Sequence, residues 1–405
     1  MVDAAMSFRG HRADAVSTPG RERAGAAVDI SVSAASGDAL AAYADLCGGG
    51  CVSSPQSTGW IREWLTHARP DGLVAILRSG GKPVYGLALE IVRSGPFRVA
   101  RFMSGRHANG NFPPADPAFA AAAGPPDMQA IAAAIRAARP DIDLLALERL
   151  LPDLDGTPNP LVMLSHYASP NVALAVDLDG GFEAVLARAG GKRKSKKHRS
   201  QTRKFEAAGG FRRIEAKTPE ETARLLDAFF AMKELRFRKV GIANVFGDPE
   251  IRAFLNGLFS GALGQNPPAF VLHAIEVNGI LRAVTGSSRS ARRLTCEFGA
   301  IAEDDLAHTS PGEFLFFDSI GEACEQGLAV YDFGIGDEPY KRTWCDIETR
   351  HVEVVVPLTA KGQILALQLR LDARLRAFVK SSPLIWNITK LVRKRAAGLP
   401  QPADD

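Results

Sequence analysis

The sequence predicts an α/β (α+β) protein made of two similar halves, each a mostly antiparallel mixed sheet flanked by helices. Three observations lead there. Two hairpin signals stand far apart: VAILRSGGKPVYGLAL turns at Gly80 and Gly81, and VLHAIEVNGILRAVTG turns at Asn278 and Gly279. Each is followed by the same series of strand, loop, helix and return strand, the mark of an internal repeat. The chain, at 405 residues, is too long for one ordinary core, and 46% hydrophobic with 23% charged residues is a normal folded composition.

Taken in order, residues 1–27 mix charges with small residues, lack the apolar run of a signal peptide, and read as a loose tail. The first half spans 28–168. After its hairpin come a strand over 97–103, a Pro/Gly-rich loop (RHANGNFPPADPAFAAAAGPP), an Ala-rich helix from about Met128 to Ala138 and a strand over 142–147. Ser165 to Pro170 reads as a connector, and a new strand starts near Val172.

The second half spans 169–360. Thr218, Pro219 and Glu221 open a helix that runs to about Lys239, and Asp248 with Pro249 opens another that ends near Gly264. The loop between them, RKVGIANVFGD, is placed to cover a substrate. After the Asn278-Gly279 hairpin, a strand over 293–298 leads to SPGEFLFFDSIGEACEQGLAVYDFGIGDEPYKRTWCD. There Ser310 suits an N-cap, Pro311 the first helical position and Glu313 a capping box, with Gly327 as the stop and a strand over 328–333. A strand, a loop and a helix start carrying glycine can hold an anion on free N–H groups; a closed capping box would satisfy those same groups unaided.

Net charge is only +4, but its distribution is uneven. Residues 192–204, KRKSKKHRSQTRK, hold eight Lys or Arg and no acid, including Lys192, Arg193, Lys194, Lys196 and Lys197. Such a run suits an anionic membrane surface or is a solvated helix face. Without interleaved aromatic residues it is a poor single-strand nucleic-acid platform. Residues 361–397 read as amphipathic helices, with Leu384, Ile385, Trp386, Ile388 and Leu391 opposite Lys390, Arg393, Lys394 and Arg395, either packed on the domain or lying on a membrane. Residues 398–405 read as a second tail. The five cysteines are scattered, and no second pair or nearby histidine completes a zinc site beside Cys47 and Cys51. Reduced thiols, no metal and a cytoplasmic location are therefore expected, peripheral at the inner membrane if the basic run binds lipid. No stretch of about 18 apolar residues is present.

The series SPGEFLFFDSI, GLAVYDFG and GDEPYKRTWCD, preceded by the basic run and the Asn-Gly hairpin, resembles the GNAT acyltransferase superfamily. Within it the nearest likeness is to the branch associated with bacterial cellulose and exopolysaccharide biosynthesis, and more distantly to the Fem aminoacyl-transferases. The resemblance covers roughly 175–350 well and the first half only in architecture. It implies tandem GNAT-like halves and transfer of an acyl group from acyl-CoA, acetyl or longer, to an amine of a cell-envelope, polysaccharide or lipid precursor. The pyrophosphate would lie at His308, Thr309, Ser310, Pro311 and Gly312, where only Gly312 represents the several glycines of the better-known GNAT loop. Glu297 would be the base and Tyr340 the acid that protonates the thiolate, with His308 a second candidate base; Asp337, Lys341, Trp344 and Asp332 would line the acceptor side. The first half is expected to be largely structural. Competing readings are a Fem-like transferase drawing on aminoacyl-tRNA, an N-acyltransferase for long-chain sphingoid bases, and a non-catalytic membrane- or polyanion-binding scaffold. The sequence leaves oligomeric state open.

Overall fold

The computed structural model describes residues 16–18, 22–23 and 26–381. In the first half the strands are β1 (Val16–Thr18), β2 (Glu22–Arg23), β3 (Ala26–Ala34), β4 (Asp71–Ser79), β5 (Lys82–Ser94), β6 (Phe97–Phe102), β7 (Leu144–Leu150), β8 (Asp153–Leu154) and β9 (Thr157–Pro158). Its helices are α1 (Gly37–Gly49), α2 (Thr58–Ala68), α3 (Pro117–Ala122) and α4 (Pro125–Ala138). The second half contributes β10 (His166–Asp177), β11 (Phe211–Glu215), β12 (Phe270–Val277), β13 (Ile280–Arg289), β14 (Arg293–Ile301), β15 (Val330–Ile335) and β16 (Ile347–Pro357). Its helices are α5 (Gly181–Arg188), α6 (Gly191–Ala207), α7 (Pro219–Val240), α8 (Pro249–Gly261), α9 (Pro311–Glu325), α10 (Pro339–Arg342) and α11 (Ala360–Ser381).

Local chemistry sets most of these boundaries. Asn278 and Gly279 both take positive φ, 50° and 74°, the conformation a tight two-residue hairpin requires, and only Gly and Asn adopt it cheaply. Helix α7 starts on Thr218, whose hydroxyl accepts from Glu221 N at 3.2 Å. Helix α9 ends in a Schellman arrangement: Gly327 N donates to Cys324 O at 3.0 Å and Leu328 N to Ala323 O at 3.1 Å, with Gly327 at φ 69°.

The two halves do not carry separate sheets. Among the described residues one fourteen-stranded sheet runs in the order β1-β3-β4-β5-β6-β7-β16-β10-β15-β14-β13-β12-β11, with β2 on β3. Strand β16, late in the sequence, sits antiparallel between β7 of the first half and β10 of the second. Ser165 to Pro170, expected to be a connector, mostly falls within β10. Its register with β16 shifts between Ala168 and Val172, and such a bulge is where a strand tolerates Pro170. The core is shared as well. Trp60 and Trp64 pack on Phe254 of α8, with ring centroids 5.2 Å apart in both cases.

Strands β1 and β2 lie within the expected N-terminal tail and pair with β3, whose Val28, Ile30 and Val32 alternate inward. Helix α11 occupies the start of the expected C-terminal helical region. The segment with Leu384 to Arg395, like the tail 398–405, lies outside the described residues. No helix among the described residues is long and apolar enough to cross a membrane.

Candidate active site

Strands β14 and β15 run parallel for three residue pairs, Arg293 to Thr295 against Val330 to Asp332, and then separate. On its other side β14 stays paired with β13, but the register jumps: Gly286 faces Phe298 while Ser287 faces Cys296. Glu297 is the extra residue. A bulge bends its strand and re-aims a side chain, and this one sits where the two strands part. Ser288 Oγ donates to Glu297 Oε1 at 2.6 Å, and Asn109 Nδ2 donates to Oε2 at 3.0 Å and to Glu297 O at 2.8 Å. Glu297 is half-buried as a residue, but enclosure of its carboxyl group raises the pKa from 4.5 to about 7 despite those two donors.

The space between the strands is a cleft of about 560 Å³. Its walls are β14 from Cys296 to Ile301, Phe333 and Ile335 of β15, and Met232, Lys233 and Arg236 of α7. Ser310, Gly312, Glu313 and Phe316 at the start of α9, with Tyr340 and Lys341 of α10, complete it. Tyr340 stacks flat on Phe316, centroids 5.5 Å apart, and burial holds its hydroxyl well above the usual phenol range, so it stays protonated. Lys341 is buried, its Nζ fixed by Ile335 O and Glu338 Oε2, each at 2.9 Å. Lys233 makes no salt bridge among the described residues, and desolvation lowers its pKa. A Cβ added at Gly312 would come within 2.9 Å of Ile301 Cγ2, so the helix start and β14 approach more closely than another residue allows.

The start of α9 differs from the expected capping box. Ser310 is in the left-handed region, φ 59°, and its side chain makes no cap bond, while the Glu313 carboxylate pairs with Lys197 Nζ at 2.8 Å. Gln201 Nε2 instead holds this turn, donating to Thr309 O at 2.7 Å and Ser310 O at 2.9 Å. Thr309 is buried, with its hydroxyl on Leu306 O, and Pro311 is buried; neither lines the cleft. His308 is exposed, its Nδ1 2.7 Å from Asp305 O, and lies outside the cleft. Asp337 is exposed and pairs with Arg342 at 2.5 Å, because the loop it occupies turns outward. Trp344 is buried beneath Lys194, whose Nζ is 3.8 Å from the ring centroid. Asp332 accepts from Arg293 Nη1 at 2.9 Å and Gly334 N at 2.7 Å, anchoring β15 behind Glu297.

The basic run forms α6, and one of its faces points inward. Lys194, His198, Gln201 and Phe205 fall at helical spacing along that face. Burial lowers Lys194 to about 8, and His198 stacks on Phe314 and Phe317, both centroids at 4.2 Å. Lys194 is thus part of the packing, and Lys197 neutralises Glu313. Lys192, Arg193 and Lys196 remain exposed, with Arg199, Arg203 and Lys204.

Sequence reasoning missed Asn109, Ser288 and Lys233. Asn109 lies in the long loop of the half expected to be structural, yet it touches both the side chain and the carbonyl of Glu297. Gly334, at φ 68°, makes room for it: a Cβ there would meet Asn109 Cγ at 2.9 Å. In the loop RKVGIANVFGD, Val245 and Phe246 line a smaller 200 Å³ pocket that Lys233 and Glu297 also line. Because the Glu297 pKa is raised on folding, the stability that its protonated form contributes is present below pH 4.5 and lost as pH rises to about 7. Melting curves should therefore show Glu297→Gln gaining on the wild type across that window and holding a constant lead above it. A difference that does not vary with pH would contradict the enclosed carboxyl.

Residues 192–342 match the family model described as an acetyltransferase (GNAT) domain. A search of curated proteins gives no match. Among solved structures, FemX is similar at 11% identity over 81% of this chain and 98% of that one, with a TM-score of 0.55. L-PGS from Bacillus licheniformis is similar at 11% identity over 72% and 86% (TM-score 0.44), and a tandem GNAT protein from the clavulanic acid biosynthesis pathway at 14% over 82% and 99% (TM-score 0.45). At 11% identity the likeness to FemX is one of fold alone. The segment that matches the GNAT acetyltransferase domain contains Glu297, the parting strands and every cleft residue named above except Asn109.

Proposed function

We propose that this chain is an N-acyltransferase that takes its acyl group from a coenzyme A thioester. The observation that carries this is Glu297, a carboxylate with a pKa of about 7 at a strand bulge in the floor of the cleft. A base that is half-ionised near neutral pH is matched to removing a proton from an attacking amine. In the reaction the amine nitrogen attacks the thioester carbonyl, Glu297 accepts the proton, and the carbon–sulfur bond breaks. Tyr340, kept protonated by burial, gives its proton to the departing thiolate, leaving an amide and a free thiol. The ammonium groups of Lys341 and Lys233 favour the charge that develops on the carbonyl oxygen.

The cleft fits the donor. Phe298, Ile301, Phe316 and Phe333 offer apolar walls to an acyl chain and pantetheine arm, and Ser310 and Gly312 bring the start of α9 to the same cleft, where a pyrophosphate would lie. Pairing with Lys197 offsets the repulsion Glu313 would otherwise exert. For the acceptor, an amine on a cell-envelope, polysaccharide or lipid precursor suits the exposed outer face of α6, where Lys192, Arg193 and Lys196 present positive charge to an anionic surface.

Two experiments bear on this reading. Thiol release from acyl-CoAs of increasing chain length, measured over a panel of amines, should be acceptor-dependent and rise with pH through about 7. Glu297→Gln should lower kcat by about 10² or more and flatten that limb, whereas a variant retaining the wild-type rate would remove Glu297 as the base. For the surface, replacing Lys192, Arg193 and Lys196 by Glu should abolish binding to anionic vesicles, at about 1 kcal/mol per charge, with acyl-CoA affinity intact. Wild-type protein that ignores such vesicles, or that binds RNA instead, would overturn the membrane assignment.

A further inference from the structure

At the opposite end of α9 from the cleft, three potential ligands converge. Glu215 ends β11 and faces His273 of β12 in the antiparallel register, and Glu322 reaches them from α9. His273 is 4% exposed, and its Nε2 has no hydrogen-bond partner. That atom stands 3.8 Å from Glu215 Oε2 and 3.8 Å from Glu322 Oε2, and the donor atoms all lie within 4.8 Å of one another. The spacing is too long for hydrogen bonds, and an orphaned buried imidazole is costly.

We propose that Glu215, His273 and Glu322 bind one divalent cation of the zinc class. One imidazole and two carboxylates favour zinc, cobalt or manganese over magnesium or calcium, which prefer oxygen alone. Ligand bonds of about 2.0–2.2 Å bring tetrahedral donors to about 3.4 Å from one another, so His273 needs to close on each carboxylate by only about 0.4 Å and no pair of donors by more than about 1.4 Å. Two cations already attend the carboxylates. Lys217 pairs with Glu215 Oε1, the oxygen turned away from His273, and is compatible with an ion. Arg213 pairs with Glu322 Oε2, the oxygen the ion needs, and must give way to it. Glu322 Oε1 is available to receive Arg213, since its contact with Gln326 Nε2 is a loose 3.4 Å. The bound ion would clamp the C-terminal part of α9 to the sheet, steadying the helix whose other end forms the cleft.

The test uses the full, tag-free chain, stripped with chelator and dialysed against zinc, with bound metal quantified by mass spectrometry and cobalt substitution followed by its visible d–d bands. The wild type should retain one equivalent. Glu215→Gln and Glu322→Gln, which keep side-chain shape and can be checked for folding by melting, should each weaken binding about tenfold or more. Arg213→Gln should strengthen it, because the competing guanidinium is gone. A wild type that retains no ion, stoichiometry unchanged in both glutamine variants, or weaker binding in Arg213→Gln would each overturn the site and leave the triad as an ion-pair network.

Discussion

The parting of β14 from β15 is the constraint on which the rest of the site depends. One extra residue in β14 breaks its register with β13 at Glu297, and beyond Thr295 the parallel ladder with β15 ends. A sheet interior cannot be opened without leaving backbone polar groups and side chains to be satisfied another way. Here Asn109 takes the first carbonyl, the start of α9 comes up against Ile301, and α7 closes the third wall. Burying the Glu297 carboxylate is unfavourable at neutral pH, and its two hydrogen bonds offset only part of the cost. A group held in that condition beside an open cleft is better explained by chemistry than by stability.

The first half shows what the same topology does when the gap is filled. Strands β6 and β7 are parallel over Val99–Ala100 against Leu144–Leu145 and then separate, as β14 and β15 do. The chain's own residues enter this opening: Asn111 bridges to Leu150, and Phe112 and Ala115 are fully buried. The corresponding opening in the first half is thereby filled, but that half is not inert. By lending Asn109 to Glu297, sharing its sheet through β16 and packing Trp60 and Trp64 on α8, it fixes the geometry of the second.

What the sequence made legible was local. Asn278-Gly279, the Thr218 cap and the Gly327 stop each act within a few residues, so their turns and helix ends could be read directly. The helix at Pro311 was likewise legible from its own start signals, whereas Glu297 was singled out only through the resemblance to GNAT acyltransferases. Contacts between distant segments were not readable. The insertion of β16 beside β7, the role of Asn109 nearly two hundred residues before its partner, and the bulge that absorbs Pro170 all depend on tertiary pairing. Ser310 shows how a strong local pattern can fail. Its capping box competes with Lys197 for Glu313 and with Gln201 for the turn, and both belong to α6. The same helix explains why charge density misled at Lys194: every fourth position or so of a basic run can face inward when an aromatic ring and a hydroxyl await it, here Trp344 and Thr343.

A crystal structure of the full chain with a non-hydrolysable thioether analogue of an acyl-CoA would test the central claim most directly. The expected result places the sulfur between β14 at Phe298 to Ile301 and β15 at Phe333 to Ile335, with the adjoining acyl carbon facing the Glu297 carboxylate and the phosphates at the start of α9. An analogue bound elsewhere, or a cleft that stays empty at saturating concentration, would contradict it.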